Sequence, residues 1–180
     1  MIINKKDINW SSFHTLVFDF DGVFTNNKVY LNEKGIESVI CDRGDGLGLN
    51  ILKKFINLKK WDLDYFILSK ETNDVVKTRA KKLNIKCINS VDNKLEYLRT
   101  YLKNNKRNSE GLLYVGNDLN DLGPIKYAGF GICPLDSHPI IKKYSDLIFP
   151  KKGGDGLVRG IIELIIGLEE MNFKEITELI

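Results

Sequence analysis

Short apolar runs alternate along this chain with longer amphipathic segments, and this alternation limits the possible folds more than any other feature. The apolar runs cover residues 16–18, 66–68, 112–115, 130–132 and 147–149, and polar residues follow several of them directly. Each run is apolar at every position, without the polar positions that a strand with one solvent-exposed face would show. The runs therefore predict buried parallel strands with helices on both sides.

The segments between the runs carry apolar residues at helical spacing. These segments cover residues 47–56, 75–83, 95–102 and 157–168. Alternating strands and helices predict an α/β fold with a doubly wound, Rossmann-like parallel sheet. Residues 28–40 break the alternation, because two short apolar stretches flank a turn that contains Gly35. They predict a β-hairpin flap after the first strand. We expect a single domain over residues 1–180, with no cap domain.

Composition and charge exclude several classes of protein. The chain has 180 residues, of which 43% are hydrophobic, so it is neither disordered nor low in complexity. The net charge is only +3 and the lysines are scattered, so we expect no nucleic-acid partner. The apolar stretch 161–168 is too short to cross a bilayer, so we expect no membrane partner. The three cysteines form no CxxC pair and the N-terminus lacks an apolar leader, which together predict a cytoplasmic location.

Polar side chains cluster where the predicted strands end. Carboxyl ends of parallel strands meet at one edge of a sheet, where such sheets bind ligands. Carboxylate oxygens suit Mg²⁺, and a lysine with a metal offsets the charge of a transferring phosphoryl group. Taken alone, an aspartate after a strand would be assigned to a turn or a helix cap, and Lys94 to the solvated face of a helix. Their joint occurrence predicts a magnesium-dependent phosphoryl-transfer site. The residues are Asp19, Asp21, Ser69, Lys94, Asn117, Asp118 and Asp121.

These positions resemble the four motifs of the haloacid dehalogenase superfamily of phosphatases. Residues 19–25, DFDGVFT, resemble the first motif, DxDGVxT, while Ser69 and Lys94 match the second and third. Residues 116–121, GNDLND, resemble the fourth motif, GDDxxD. The glycine-rich segment 152–159 looks like one found in a narrower capless group. That group comprises the 3-deoxy-D-manno-octulosonate 8-phosphate phosphatases and their nine-carbon relatives.

The resemblance implies a role for each motif residue. Asp19 would be the nucleophile that forms a phospho-aspartate. Asp21 would protonate the leaving sugar oxygen and later activate water, and its main-chain carbonyl would bind Mg²⁺. Ser69 and Lys94 would hold the phosphate oxygens, and Asp121 would orient Lys94 or the metal shell. The implied metal ligands are Asp19, Asp21 and residues of the fourth motif.

The fourth motif departs from the family pattern. The family has a magnesium-binding aspartate directly after the motif's glycine, and this chain has Asn117. Asn117 would bind the metal weakly, or Asp118 would replace it, or activity would be reduced. The Gly-Asn-Asp pattern and residues 67–73 also resemble the C-terminal domain of animal CMP-sialic acid synthetases, which serves largely in assembly. A non-catalytic oligomerisation or regulatory module is therefore the alternative, although retention of the other motif residues favours an enzyme.

The second motif bears on the substrate. In the eight-carbon branch it commonly continues as Thr-Gly-Arg, whereas this chain has Ser69-Lys70-Glu71. Glu71 and Arg79, expected two turns apart on one helix, resemble a pair of the nine-carbon branch and would bind a polyol or amide substituent. An ordinary helix ion pair is the alternative. The predicted substrate is a 2-keto-3-deoxy sugar acid phosphate, either a nonulosonate 9-phosphate or 3-deoxy-D-manno-octulosonate 8-phosphate.

The resemblance also implies a homotetramer in which the hairpins associate. The hairpin carries more apolar side chains than an isolated flap should expose to water. These are Val29, Leu31, Ile36, Val39 and Ile40.

Overall fold

Six parallel strands form the central sheet in the computed structural model, which describes residues 8–180. The strands of the chain are β1 (Thr15–Phe18), β2 (Tyr30–Leu31), β3 (Glu37–Ser38), β4 (Asp64–Leu68), β5 (Lys86–Ile88), β6 (Leu112–Val115), β7 (Phe130–Pro134) and β8 (Leu147–Phe149). The sheet has the order β5-β4-β1-β6-β7-β8, while β2 and β3 form a separate hairpin. From β1 the sheet extends to one side with β4 and β5 and to the other side with β6, β7 and β8, so the strand order reverses between β1 and β6. Doubly wound folds have such a reversal, so the predicted fold class is confirmed.

Helices cover both faces of this sheet. They are α1 (Gly44–Lys59), α2 (Asp74–Leu83), α3 (Lys94–Asn104), α4 (Leu122–Tyr127), α5 (Pro139–Tyr144), α6 (Leu157–Ile166) and α7 (Phe173–Leu179). Side chains of α1, α2 and α6 contribute to one core, and side chains of α3, α4 and α5 to the other. The buried strand β1 contributes to both, because Leu16 and Phe18 point into the first core and Val17 into the second.

Polar caps fix where the helices beside the carboxyl edge begin. The Asn93 side chain accepts a hydrogen bond from the Glu96 amide, so α3 begins at Lys94 as predicted. The Asn73 side chain accepts from the Val75 amide, so α2 begins at Asp74. Strand β5 was not predicted. It has three residues, and Lys86 with its exposed side chain interrupts the apolar pattern at this sheet edge.

The hairpin is present but its ladder is shorter than the sequence predicts. Tyr30 pairs with Ser38 and Leu31 with Glu37, next to a turn in which the Asn32 side chain accepts two backbone amides. Val39 is half-buried and packs against the core. The exposed apolar residues of the hairpin are Val29, Tyr30, Leu31, Ile36 and Ile40. Between β1 and α1, the described chain inserts this hairpin and no further domain.

None of the helices within residues 8–180 is both long and apolar enough to cross a membrane.

Candidate active site

A small polar cavity opens at the carboxyl edge of the sheet, where the strand order reverses between β1 and β6. The Asp19 amide donates to the Val115 carbonyl at 2.8 Å, which holds the end of β1 against β6. The cavity has a volume of about 140 Å³. Its lining brings together residues that the sequence places in different motifs. They are Asp19, Asp21, Asn27, Ser69, Lys70, Glu71, Asn117, Asp118 and Asn120.

Lys94 lies buried between two carboxylates, one of which, that of Asp19, belongs to a residue that lines the cavity. Its Nζ is 2.7 Å from Asp19 Oδ1 and 2.8 Å from Asp121 Oδ1, and the lysine side chain is 1% exposed. Asp121 also accepts hydrogen bonds from the Tyr114 hydroxyl at 2.7 Å and from the Asn117 amide at 2.9 Å. Asp121 therefore fixes the position of Lys94 and links it to the end of β6.

The electrostatics of this cluster keep Lys94 charged. Burial alone would lower the pKa of the Lys94 ammonium, but the charges of Asp19 and Asp121 outweigh burial and raise it. Burial raises the pKa of the Asp19 carboxyl well above its ordinary value, and the nearby Asp121 charge adds to the effect. The charge of Lys94 opposes that rise. A cation is thus held directly beside the predicted nucleophile.

Asp21 sits on a tight turn just after β1. The Thr25 hydroxyl bridges this turn: it accepts the Gly22 amide at 3.2 Å and lies 3.4 Å from Asp21 Oδ1, to which it donates. Burial raises the pKa of the Asp21 carboxyl, and the Glu71 charge raises it further. A carboxyl whose pKa is raised by burial gives up its proton less readily than an exposed one, which suits general acid catalysis.

Asn117 approaches this turn closely because residue 22 is glycine. Gly22 has a φ of +80°, and a Cβ there would lie 1.9 Å from the Asn117 amide nitrogen. Asn117 is buried, and its Oδ1 has no hydrogen-bond partner within the described residues. A buried, unpartnered amide oxygen that lines a cavity with two carboxylates fits a hard cation such as Mg²⁺.

Asp118 is less available as a ligand. Its side chain is engaged in capping the short 3₁₀ helix Leu119–Asp121, where its Oδ1 accepts the Leu119 amide at 2.7 Å. Within residues 8–180, no group of three or more His, Cys, Asp or Glu side chains is arranged to hold a metal. A magnesium ion here would therefore need amide or main-chain oxygens in addition to carboxylates.

The predicted pair of Glu71 and Arg79 does not share a helix, and that expectation is wrong. Glu71 lies in the loop before α2, because the Asn73 cap starts the helix only at Asp74. Arg79 instead donates from Nη2 to the Asp42 carbonyl at 2.7 Å. Among the residues described, no hydrogen bond or ion pair joins the two side chains. Glu71 does line the cavity, where its amide donates to Ser69 Oγ at 3.0 Å.

Three lining residues were not predicted from the sequence. They are Asn27, Lys70 and Asn120, and each lies within two residues of a motif position. That proximity is the signal that could have identified them. Asn27 has a left-handed backbone with a φ of 60°, which asparagine tolerates better than most residues.

Comparisons with known proteins identify the family of this chain. The sequence pattern of the haloacid dehalogenase-like hydrolase family matches residues 15–161. The 3-deoxy-D-manno-octulosonate 8-phosphate phosphatase of Yersinia pestis is 26% identical over 157 residues, which cover 87% of this chain and 81% of the relative. The Escherichia coli K12 protein of the same name is 26% identical over 152 residues, covering 84% of this chain and 78% of the relative.

A solved structure shares both the fold and a substantial part of the sequence. It is the 3-deoxy-D-manno-octulosonate 8-phosphate phosphatase of Moraxella catarrhalis, in complex with a magnesium ion, a phosphate ion and a KDO molecule. The TM-score is 0.78 and the sequences are 31% identical, with 88% of each chain covered.

Proposed function

Since this chain belongs to the haloacid dehalogenase-like hydrolase family, we propose that its cavity hydrolyses the phosphate monoester of a 2-keto-3-deoxy sugar acid with Mg²⁺ as cofactor. The enzyme class expected from the sequence, a phosphoric monoester hydrolase, is confirmed by the family match and the phosphatase relatives. One observation carries the proposal. Asp19 meets the Lys94 ammonium at a cavity that Asp21, a second carboxyl with a raised pKa, also lines.

The reaction proceeds in two displacements. A carboxylate oxygen of Asp19 forms a bond to phosphorus while the bond from phosphorus to the sugar oxygen breaks, and Asp21 gives its proton to that leaving oxygen. Asp21, now a carboxylate, then takes a proton from a water molecule. This water attacks the phosphorus of the phospho-aspartate, which releases inorganic phosphate and regenerates Asp19.

The remaining residues bind charge and hold the phosphoryl group in place. Lys94 and the Ser69 hydroxyl bind phosphoryl oxygens, and Asp121 keeps Lys94 in position. The Asp19 carboxylate, the main-chain carbonyl of Asp21 and Asn117 would hold Mg²⁺, with Asp118 as the second candidate in the fourth motif. The ion would offset charge on the phosphoryl oxygens.

Two sugar acids are candidate substrates. The relatives named above are 3-deoxy-D-manno-octulosonate 8-phosphate phosphatases, which favours the eight-carbon substrate. Glu71 lines the cavity. By the sequence resemblance the eight-carbon branch commonly has arginine at this position, and an acceptor there would favour the hydroxyl or amide groups of a nonulosonate 9-phosphate. Arg79 bonds to the Asp42 carbonyl, so a substrate contact from it would require that bond to be exchanged.

The hairpin supports a homo-oligomer, and the tetramer implied by the sequence resemblance remains our proposal. Five of its apolar side chains are more than half exposed, from 53% for Ile40 to 66% for Leu31. A second copy of this chain is the partner that would bury the same patch on both sides.

A phosphate-release assay tests the proposed activity. The purified chain is incubated with the two sugar acid phosphates and with glucose 6-phosphate, which lacks the carboxylate, in the presence of magnesium or of a chelator. We expect magnesium-dependent release that is fastest with one of the sugar acids. Asp19→Asn should lower kcat/KM by at least about a thousandfold while leaving the circular dichroism spectrum unchanged. A folded chain that releases no phosphate from any substrate would instead support the assembly module.

A further inference from the structure

A glycine-rich segment outside the four motifs packs directly on the turn that carries Asp21. We call residues 153–156, just before α6, the glycine clamp. A Cβ on Gly153 would lie 2.1 Å from the Gly22 carbonyl oxygen, and one on Gly154 would lie 2.6 Å from the Asn26 amide nitrogen. The Gly154 amide also donates to the Val23 carbonyl at 3.1 Å. Side chains at these clamp positions would therefore push the turn away.

The contact matters because little else orients Asp21. Within the described residues its carboxylate accepts one hydrogen bond, the long contact of 3.4 Å from the Thr25 hydroxyl. The direction of the Asp21 side chain therefore depends on the backbone of the turn. The clamp touches that backbone at Gly22, Val23 and Thr25, on both sides of the bend.

Asp136 anchors the first residue of the clamp. It follows β7, is solvent-exposed, and accepts the Gly153 amide through its Oδ1 at 3.0 Å. Asp136 is not among the residues that line the cavity. Its effect on the site would pass through Gly153.

Asp45 anchors the other end of the clamp through α6. This helix begins after Gly156, which has a φ of 63° and offers no side chain to cap the free amides. Asp45, buried in the first turn of α1, accepts the Arg159 amide at 3.0 Å and so supplies the cap from another helix. At Gly48, α1 and α6 approach so closely that a Cβ would lie 2.8 Å from Arg159 Cα.

We propose that the glycine clamp positions Asp21 for proton transfer to the leaving oxygen, and that Asp136 and Asp45 are positioning residues that hold the clamp. This inference rests on the proposed role of Asp21 as general acid. It predicts a dependence on the leaving group. A sugar alkoxide needs the Asp21 proton when it departs, whereas p-nitrophenolate and acetate depart as stable anions without one.

The experiment compares kcat/KM of Asp136→Ala for the best sugar acid phosphate with kcat/KM for p-nitrophenyl phosphate and acetyl phosphate. This ratio reports the first displacement, in which the leaving group departs. We expect a loss of about tenfold with the sugar acid phosphate and of less than about twofold with the other two. Asp136→Asn keeps an oxygen acceptor for the Gly153 amide and should rescue most of the loss.

Asp146 offers a matched control. It is also an exposed aspartate that accepts a glycine amide, in this case Gly131 at 2.8 Å, but near the amino end of β7 at the opposite edge of the sheet. Asp146→Ala should leave the preference between leaving groups unchanged. Gly153→Ala displaces the clamp from the other side and should reproduce the Asp136→Ala pattern. If that variant does not fold, the Asp136 variants decide the question.

Asp21→Asn serves as the reference that separates the two proposals. If it loses activity equally with all three substrates, the assignment of Asp21 as general acid is wrong. If its loss is selective for the sugar acid phosphate but Asp136→Ala loses nothing, or loses equally with every substrate, only the clamp proposal is overturned. A selective loss in both variants supports the clamp.

Discussion

Replacing Asp45 by asparagine should stabilise the protein at neutral pH. Asp45 is completely buried, and its Oδ2 has no hydrogen-bond partner in the described chain. Burial raises the pKa of this carboxyl from 3.8 to about 6. The Asp42 charge also raises it, while the hydrogen bond from the Arg159 amide and the charges of Arg79 and Lys151 lower it. Between these two pKa values the folded chain therefore holds a proton that the unfolded chain has already released.

The sign and size of the effect follow from proton linkage. Between pH 3.8 and pH 6 the unfolded state binds fewer protons than the folded state, so the free energy of unfolding falls as pH rises. Above pH 6 the full penalty of the charged Asp45 is present, and it amounts to about 3 kcal/mol. Asparagine cannot ionise, and its oxygen can still accept the Arg159 amide. Asp45→Asn should therefore remove the penalty.

Urea unfolding monitored by circular dichroism checks this prediction. Both proteins are unfolded at one protein concentration from pH 4.5 to pH 7.5, because association would otherwise shift the transition. The free energy of unfolding of the variant minus that of the wild type should increase by about 2 kcal/mol across this range. Two pH profiles that run parallel would refute the reasoning, since Asp45 would then titrate alike in the folded and unfolded chains.

Three further predictions concern the site and the hairpin. Asn117→Asp should lower the magnesium concentration for half-maximal activity by about tenfold, because a charged oxygen binds the hard cation more tightly; an unchanged value would assign the ligand to Asp118. Tyr114→Phe removes the hydroxyl that donates to buried Asp121 and should cost about 1–2 kcal/mol in urea unfolding. Leu31→Asp should dissociate the oligomer in light scattering, whereas Lys34→Asp, in the same turn region, should leave its mass unchanged; a monomeric wild-type chain would contradict the assembly proposal.

The sheet and the meeting of the motifs were predictable because both follow from local pattern. Uniformly apolar runs place Asp19, Ser69 and Asn117 at strand ends, and parallel strands bring those ends to one edge. The start of α2 was harder to predict from local sequence pattern. The Asn73 side chain caps this helix through its oxygen, and its nitrogen donates to the Glu37 carboxylate in the hairpin at 2.6 Å. The start of α2 therefore coincides with a contact between segments that are far apart in the sequence.

The hydrogen bonds that support the site could not be predicted from local sequence patterns, because they join residues far apart in the sequence. Asp45 caps a helix that begins more than a hundred residues later, and neither residue carries a local sign of the other. In the sequence alone, Asp136 looks like an ordinary loop residue. Only the fold brings the Gly153 amide to its carboxylate. Motifs reveal the residues that perform chemistry, whereas the residues that hold them emerge only from the packing of α1, α6 and the loop after β7.

The neutral side chain of Asn117 also affects charge repulsion in the site when no metal is bound. Asp19 and Asp121 already flank a single buried cation, Lys94, and burial together with Asp121 raises the pKa of Asp19. A third buried carboxylate at position 117 would add repulsion to this cluster whenever the metal is absent. A neutral amide avoids that repulsion and still carries an oxygen that has no hydrogen-bond partner within the described residues. We therefore expect Asn117 to favour a site that stays folded without a metal, and to bind magnesium more weakly than an aspartate would.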